Sequence, residues 1–102
     1  MICVMATIQL VEGRREDFLK IFKELVPKVR AEEGCLEYGP MVDLPTNLPA
    51  QGEAREDVVV IVEKWESVEA LEAHLMAPHM LEYRKTSRDL VDSMSLQILQ
   101  PA

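Results

Sequence analysis

The sequence predicts an α+β fold, a ferredoxin-like βαββαβ domain with an antiparallel sheet. Three patterns in the 102 residues indicate it. Apolar residues alternate from Ile2 to Leu10, they recur at three- and four-residue steps over residues 14–33, and an unbroken β-branched run begins at Val58. Alternation and β-branched runs are typical of strands, whereas the wider spacing is typical of an amphipathic helix. A chain of this length is expected to form one domain, residues 1–102.

The first strand and the first helix follow directly from these patterns. One face of the strand is wholly apolar, and the helix carries its apolar stripe on Phe18, Ile21, Phe22, Leu25 and Val29. Pro27 lies inside the predicted helix, so either a kink or an irregular last turn is expected there. Gly34 is predicted to end the helix in the left-handed cap conformation.

The second strand is predicted over residues 35–44 and at an edge of the sheet. Gly39 and Pro40 interrupt it, and a proline cannot donate to a strand ladder. The next segment, residues 44–57, is an extended loop with two prolines, a glycine and an acidic patch. Loops of this length are usually lids, partner contacts or disordered, and the sequence leaves all three open.

The valine-rich run supplies the third strand. It has no polar residue before Glu63, which predicts a central strand buried on both faces. Ser67 is the predicted N-cap of a short helix that reaches about Met76. Pro78 breaks this helix, a second helical piece is expected over residues 79–91, and the alternation of Met94, Leu96 and Ile98 predicts a last strand.

This order of elements closes most simply as a sheet with both helices on one face. The strands are apolar on more than one side, so the open face needs a cover. A second copy of the same sheet is the simplest cover, which predicts a homodimer.

The charge, the two cysteines and the apolar opening of the chain bear on its partners and its cellular location. Eighteen acidic and eleven basic residues give a formal charge of −7, which opposes binding to a nucleic-acid backbone. Cys3 and Cys35 form no CxxC motif, and two such thiols are more often reduced and packed than paired. The apolar opening alternates like a strand and has no basic leader, so neither an export signal nor a membrane span is predicted. We therefore expect a cytoplasmic protein without a membrane partner.

His74 is the first candidate for chemistry. It lies on or beside the apolar stripe of the short helix, where desolvation would keep the imidazole neutral and able to take a proton from a phenol or enol. The alternative is a core histidine whose nitrogens bond to backbone or water. His79, beside Pro78, would also be kept neutral by a helix N-terminus, or it could be a cap or surface residue.

The sequence argues against a metal site. A five-residue separation interrupted by proline does not place His74 and His79 on one helix face as a four-residue spacing would. Glu63 is the natural candidate for a third ligand, but a lone carboxylate at the end of a strand is usually solvated or paired. No nucleotide-binding, serine-nucleophile or zinc-protease motif is present.

Four further side chains could contact a substrate. Trp65, Tyr38 and Tyr83 offer surfaces for a flat aromatic molecule, although such residues are more often core. Arg84 could hold a carboxylate or a phenolate, although an arginine on an outer helix is most often solvated.

Several blocks of the sequence resemble one family. EEGCLEY at residues 32–38, EKWES at residues 63–67, ALEAHL at residues 70–75 and the Pro78–His79 pair resemble the antibiotic biosynthesis monooxygenase domain. The resemblance covers nearly the whole chain. It implies a dimeric α/β barrel of ferredoxin-like subunits, each with a pocket, and oxidation of phenols or quinols by O₂ without a metal or flavin cofactor.

The resemblance also implies roles for particular residues. It makes Trp65 a pocket wall, His74 the proton acceptor or orienting donor, and His79 and Arg84 helpers. Haem-degrading members of the superfamily carry a characteristic Asn, Trp and His where this chain has Thr7, His74 and Arg84, which disfavours haem degradation. The region 39–57 is longer and richer in proline than the hairpin that the family would imply.

The functional hypothesis is therefore a cofactor-independent monooxygenase that oxidises a small aromatic quinol or phenol with O₂. Such chemistry needs no cofactor because a deprotonated, electron-rich phenol can itself pass an electron to O₂. Two alternatives remain open at this point. One is a non-catalytic ligand-binding or interaction module on the same dimeric barrel. The other is an isomerase or lyase of the same superfamily, in which a histidine moves protons without oxygen.

Overall fold

A computed structural model describes residues 1–102 and shows a four-stranded antiparallel sheet with helices on one face. The predicted ferredoxin-like α+β fold is confirmed. The strand order is β2-β3-β1-β4. The elements, in chain order, are β1 Ile2–Leu10, α1 Arg15–Arg30, β2 Cys35–Met41, β3 Val58–Trp65, α2 Val68–Leu75, α3 Pro78–Ser87, a 3₁₀ turn Arg88–Leu90 and β4 Val91–Leu99.

β3 lies in the interior of the sheet, as predicted, between β2 and β1. Its alternate side chains face the helices and are buried: Val59, Ile61, Glu63 and Trp65. The prediction of burial on both faces holds fully only for this side, because on the other face Val58 alone is buried. On the opposite face Val60 and Val62 are half-buried, because the protomer places nothing over them.

α1 contributes five buried apolar side chains to the core: Phe18, Phe22, Leu25, Val26 and Val29. Pro27 lies within the helix, which continues for three more residues and ends at Arg30, three residues before the predicted end. Gly34 adopts φ +84°, the left-handed conformation that was expected. It allows the chain to turn from α1 into β2.

β2 is an edge strand, as predicted, but it ends at Met41 rather than at residue 44. The segment 42–57 is held by its own contacts. Arg55 donates from Nε and Nη2 to the two carboxylate oxygens of Asp43, at 2.8 and 2.9 Å. Farther along, the Asp57 carboxylate accepts a bond from the Gly13 amide at 3.0 Å. These bonds place the loop at the end of the sheet where β3 begins.

The helices after β3 follow the expected pattern with small shifts. Ser67 caps α2, and its hydroxyl accepts from the Ala70 amide at 3.2 Å. The second helical piece begins at Pro78 and reaches Leu90 through the 3₁₀ turn, and β4 begins at Val91, three residues earlier than expected. None of the helices is long and apolar enough to cross a bilayer.

β4 is the second edge strand, and the helices leave it uncovered. Its register with β1 places Met94 opposite Ile8, and Leu96 opposite Ala6, on the helix side of the sheet. Met94 and Leu96 are nevertheless exposed. An apolar strip therefore borders the core at this edge.

Candidate functional site

A cavity of about 380 Å³ lies between the helix face of the sheet and the helices α2 and α3. Its walls are mostly apolar, with a few polar groups that converge on it, which is the usual composition of a small-molecule site. A depression of about 460 Å³ on β2 contains no histidine and is lined by Arg30 and by residues of β2 and β3. The cavity is lined by Ala6, Ile8, Phe22, Tyr38, Ile61, Glu63, His74, Leu75, Met80, Tyr83, Arg84, Ser87, Arg88, Val91, Met94 and Leu96.

His74 lies on the buried face of α2 and is only 1% exposed. Its ring packs against Trp65 at 4.6 Å between centroids, and against Tyr38 at 5.4 Å. The Nδ1 atom lies 3.0 Å from Oε2 of Glu32, in the turn between α1 and β2. The imidazole is thus held by stacking on one side and by a carboxylate at one nitrogen.

The Glu32 carboxylate determines which ring nitrogen of His74 carries the proton and which is free to accept one. A carboxylate only accepts hydrogen bonds, so Nδ1 carries the proton that Glu32 accepts. Nε2 has no partner within the chain, and no fully buried polar side-chain atom lacks one, so Nε2 reaches the cavity surface. Burial is the main cause that lowers the pKa of His74; the charges of His79 and Arg84 act in the same direction, and together they outweigh the opposing hydrogen bond and charge of Glu32. The neutral ring therefore presents a lone pair to the cavity.

His79 holds the other side of Glu32. Its Nε2 lies 2.6 Å from Oε2 of Glu32, although His79 does not line the cavity. Glu32 thus joins two histidines that the sequence places five residues apart. It does so as a hydrogen-bond acceptor, and no group of three or more His, Cys, Asp or Glu side chains has a metal-binding arrangement.

Gly34 brings Glu32 to α2. A Cβ atom at Gly34 would lie 2.6 Å from Cβ of Ala70, on the first turn of α2. The carbonyl of Gly34 also accepts a hydrogen bond from the Glu66 amide at 2.9 Å. Only glycine permits both this approach and a positive φ, so the turn packs directly against α2.

Glu63 is the second carboxylate of the site. It is buried on β3 and lines the cavity, with Oε1 accepting from Nε1 of Trp65 at 2.9 Å. Burial raises the pKa of Glu63 to about 6; the bond from Trp65 opposes this and the charge of Glu32 adds to it. Near neutral pH this carboxylate is ionised but able to take up a proton.

The two tyrosines lie on the cavity wall with their phenols neutral. Burial raises the pKa of Tyr38 far above its ordinary value and that of Tyr83 to about 12. Phe22 stacks on Tyr38 at 5.5 Å and meets the edge of Tyr83 at 5.6 Å. The tyrosines therefore offer aromatic surface and hydroxyl donors rather than bases.

Arg84 lies at the cavity mouth on α3. Its Nη2 donates to the Leu75 carbonyl at 2.7 Å, and it forms no ion pair with a carboxylate. Arg88, one turn later, also lines the cavity. The mouth is therefore positively charged, whereas the interior holds Glu63.

The structure brings four of the six predicted site residues to the cavity wall: His74, Tyr38, Tyr83 and Arg84. The other two, Trp65 and His79, lie behind the wall. Trp65 is fully buried and positions both His74 and Glu63. Of the two alternatives expected for Glu63, solvated or paired, the structure shows a buried carboxylate that is paired with the indole of Trp65.

Sequence reasoning included Glu32 only as the first residue of the EEGCLEY block and gave it no role in the site, and it assigned no catalytic role to Glu63. The signal for Glu63 was available, because it shares the two-residue alternation of the buried residues Val59, Ile61 and Trp65. Glu32 had no such signal, since it meets His74 only through the fold, 42 residues apart.

Comparison with known proteins agrees with this architecture. Residues 1–86 match the model of the antibiotic biosynthesis monooxygenase family. The chain is 42% identical over 103 residues to YgiN of Escherichia coli K12, described as a probable quinol monooxygenase, covering 99% of this chain and 98% of YgiN.

Two solved structures share the fold. PA3566 of Pseudomonas aeruginosa superposes with a TM-score of 0.82 at 25% identity, covering 99% of this chain and 93% of that one. A crystal structure described as an antibiotic biosynthesis monooxygenase gives a TM-score of 0.82 at 21% identity, covering 100% and 99%. The second likeness concerns the fold alone.

Proposed function

The chain belongs to the antibiotic biosynthesis monooxygenase family, and from this premise we propose that it is a cofactor-independent monooxygenase. The substrate class is a small aromatic quinol or phenol, bound in the cavity beside His74 and oxidised by O₂. The single observation that supports this most is the neutral imidazole whose free Nε2 faces an apolar cavity. The quinol oxidation named for YgiN suggests the same class of substrate.

The proposed reaction begins with proton transfer. Nε2 of His74 takes a hydroxyl proton from the bound substrate, and Glu32 stabilises the imidazolium that forms. The resulting phenolate is electron-rich enough to reduce O₂ directly. For a quinol, one oxygen atom is inserted into a ring C–H bond to give a hydroxyl group, the quinol becomes a quinone, and the other oxygen atom leaves as water. All four electrons that reduce O₂ come from the substrate, so no external reductant is needed.

The surroundings of His74 favour this step. Apolar walls exclude water from the phenolate, and Tyr38 and Tyr83 supply flat surfaces for an aromatic ring. Arg84 at the mouth can stabilise negative charge on a substituent or on reduced oxygen. A volume of about 380 Å³ is within the range of small-ligand sites.

The test is O₂ uptake by the purified protein with a panel of quinols and phenols. His74→Asn keeps an amide donor near the position of Nδ1 but removes the base, so kcat/KM should fall by roughly a hundredfold or more. Glu72→Gln, on the exposed face of the same helix, is the matched control and should change the rate less than about threefold.

Three outcomes would contradict the proposal. The first is no turnover with any member of the panel, and the second is an unchanged rate in His74→Asn. The third is product formation that persists under strict anaerobiosis, which would indicate proton transfer without oxygen and hence an isomerase or lyase.

We also propose that the protein is a homodimer. Half-buried Val60 and Val62 on the open face of the sheet, together with exposed Leu96 and Met94 on β4, leave two apolar surfaces uncovered. Because Met94 and Leu96 also line the cavity, a partner packed on this edge would close its mouth. Sedimentation should give twice the protomer mass of 11.6 kDa, and Leu96→Asp should shift it toward the protomer. A wild-type protein that sediments as a single protomer would overturn this.

A further inference from the structure

We propose that Glu63 is a second proton acceptor of the site, so that His74 and Glu63 each take one of the two hydroxyl protons of a dihydroxyaromatic substrate. This rests on the proposed function and deepens it. It assigns a catalytic role to a residue that a single-base reaction leaves unused. It also distinguishes quinols from phenols with one hydroxyl group.

The hydrogen bonding of Glu63 is incomplete for a structural carboxylate. Oε1 accepts from Trp65, but Oε2 has no partner within the chain. No fully buried polar atom lacks a partner, so Oε2 must be the oxygen that reaches the cavity. A purely structural acceptor for the indole could be a neutral amide, whereas a carboxylate leaves one strong acceptor facing the ligand.

Glu63 also lacks a counter-ion. It forms no ion pair with any lysine, arginine or histidine, although the residue is only 6% exposed. Buried carboxylates are normally paired, because desolvation penalises their charge. An unpaired buried carboxylate in an apolar cavity gains its missing interaction when it binds a hydroxyl group or a proton.

The positions of the two acceptors suit one substrate. Trp65 contacts both of them, by its Nε1 to Glu63 and by its ring to His74. Both therefore lie at the same end of the cavity, on two different elements. The titratable and charged groups around Glu63 are Cys35 and Tyr38 on β2, Glu32 before β2, His74 on α2, Tyr83 and Arg84 on α3, and Arg88 in the 3₁₀ turn.

Two acceptors match the proton balance of quinol oxidation. His74 takes the first proton, which allows the first electron to leave. Loss of an electron makes the second hydroxyl more acidic, and Glu63 takes its proton. One atom of O₂ then remains on the ring as a hydroxyl, which carries the displaced ring hydrogen. The other atom leaves as water, whose two protons are those held by His74 and Glu63, so both acceptors return to their starting state.

The decisive experiment is the pH dependence of kcat/KM for quinol oxidation. If both acceptors must be unprotonated, the acid limb of the logarithmic plot falls with a slope of two in the wild type. Glu63→Gln keeps an acceptor for Trp65 but cannot take a proton. It should reduce the slope to one and lower kcat by roughly a hundredfold. Glu63→Asp keeps a carboxylate, withdrawn by one methylene, and should retain the slope of two at a lower rate.

Glu37→Gln is the matched control, because it removes an exposed carboxylate from the neighbouring strand. It should leave the slope at two and the rate within about threefold of the wild type. A Glu63→Gln protein with a slope of two, or with a rate like that of the control, would overturn the second-acceptor role. If Glu63→Gln fails to fold, a slope of one in Glu63→Asp would overturn it equally.

The two proposals can fail separately. Absence of quinol turnover in the wild type would overturn the proposed function and this inference with it. Wild-type turnover combined with an unaffected Glu63→Gln protein would overturn only the role of Glu63. In that case the carboxylate serves solely to hold the indole of Trp65.

Discussion

Replacement of Glu63 by glutamine should stabilise the folded protein at neutral and alkaline pH. The side chain lies 6% exposed in an apolar cavity with no counter-ion, so its ionised form is costly to keep there. Glutamine has nearly the same shape and can still accept from Nε1 of Trp65. The substitution therefore removes the charge while preserving the packing.

The size of the effect follows from the pKa of Glu63, which burial raises from 4.5 to about 6. The folded protein holds this proton more tightly than the unfolded chain does. The resulting stabilisation is fully present below pH 4.5 and is lost as the pH rises through about 6. At about 1.4 kcal/mol per pKa unit, the loss is about 2 kcal/mol. Glutamine has no such loss.

Urea denaturation, followed by circular dichroism, measures the free energy of unfolding of both proteins at about pH 4 and about pH 8. From about pH 4 to about pH 8, the free energy of unfolding of Glu63→Gln should increase by about 2 kcal/mol relative to that of the wild type. Protein concentration must be equal throughout, because subunit association would add to the apparent stability. Glu37→Gln should show no comparable pH dependence. A difference that stays constant, or that shrinks as the pH rises, would refute the reasoning.

Two further predictions concern the support of the site. Gly34→Ala should destabilise the protein by about 1–3 kcal/mol more than Gly13→Ala in thermal or urea unfolding. Both glycines have positive φ, but only at Gly34 would the new Cβ overlap that of Ala70; equal losses would contradict the close approach. Trp65→Phe removes the indole donor, so the pKa of Glu63 should rise above about 6 in a carbon-13 NMR titration. An unchanged or lower value would contradict that bond.

The fold was predictable because local periodicity reflects burial directly. The apolar stripe of α1 and the alternation of β1 each follow from the geometry of one element. The end of α1 was less predictable. The helix stops at Arg30, before the two glutamates that continue its polar pattern, and Gly34 allows the turn to close against α2. That closure depends on Ala70, which sequence periodicity cannot place.

The candidate site was only partly predictable for the same reason. His74 could be identified from its position on the apolar stripe of α2. Its Glu32 partner could not, because they meet only when α2 packs against the turn before β2. The long loop was undecidable from composition. The Asp43–Arg55 pair holds the loop at the end of the sheet where β3 begins, and none of the loop residues lines the cavity.

The two carboxylates near His74, Glu32 and Glu63, differ in whether they retain an oxygen that is free to accept a further hydrogen bond. Glu32 is contacted by His74 and by His79, so it is committed to holding two rings. Glu63 receives one donor and retains one oxygen at the cavity surface. A substrate hydroxyl can therefore approach Glu63 without breaking an existing bond, whereas at Glu32 it would have to displace a histidine. The arrangement separates an orienting carboxylate from one that is free to accept a proton, which is the difference that the slope of the pH profile measures.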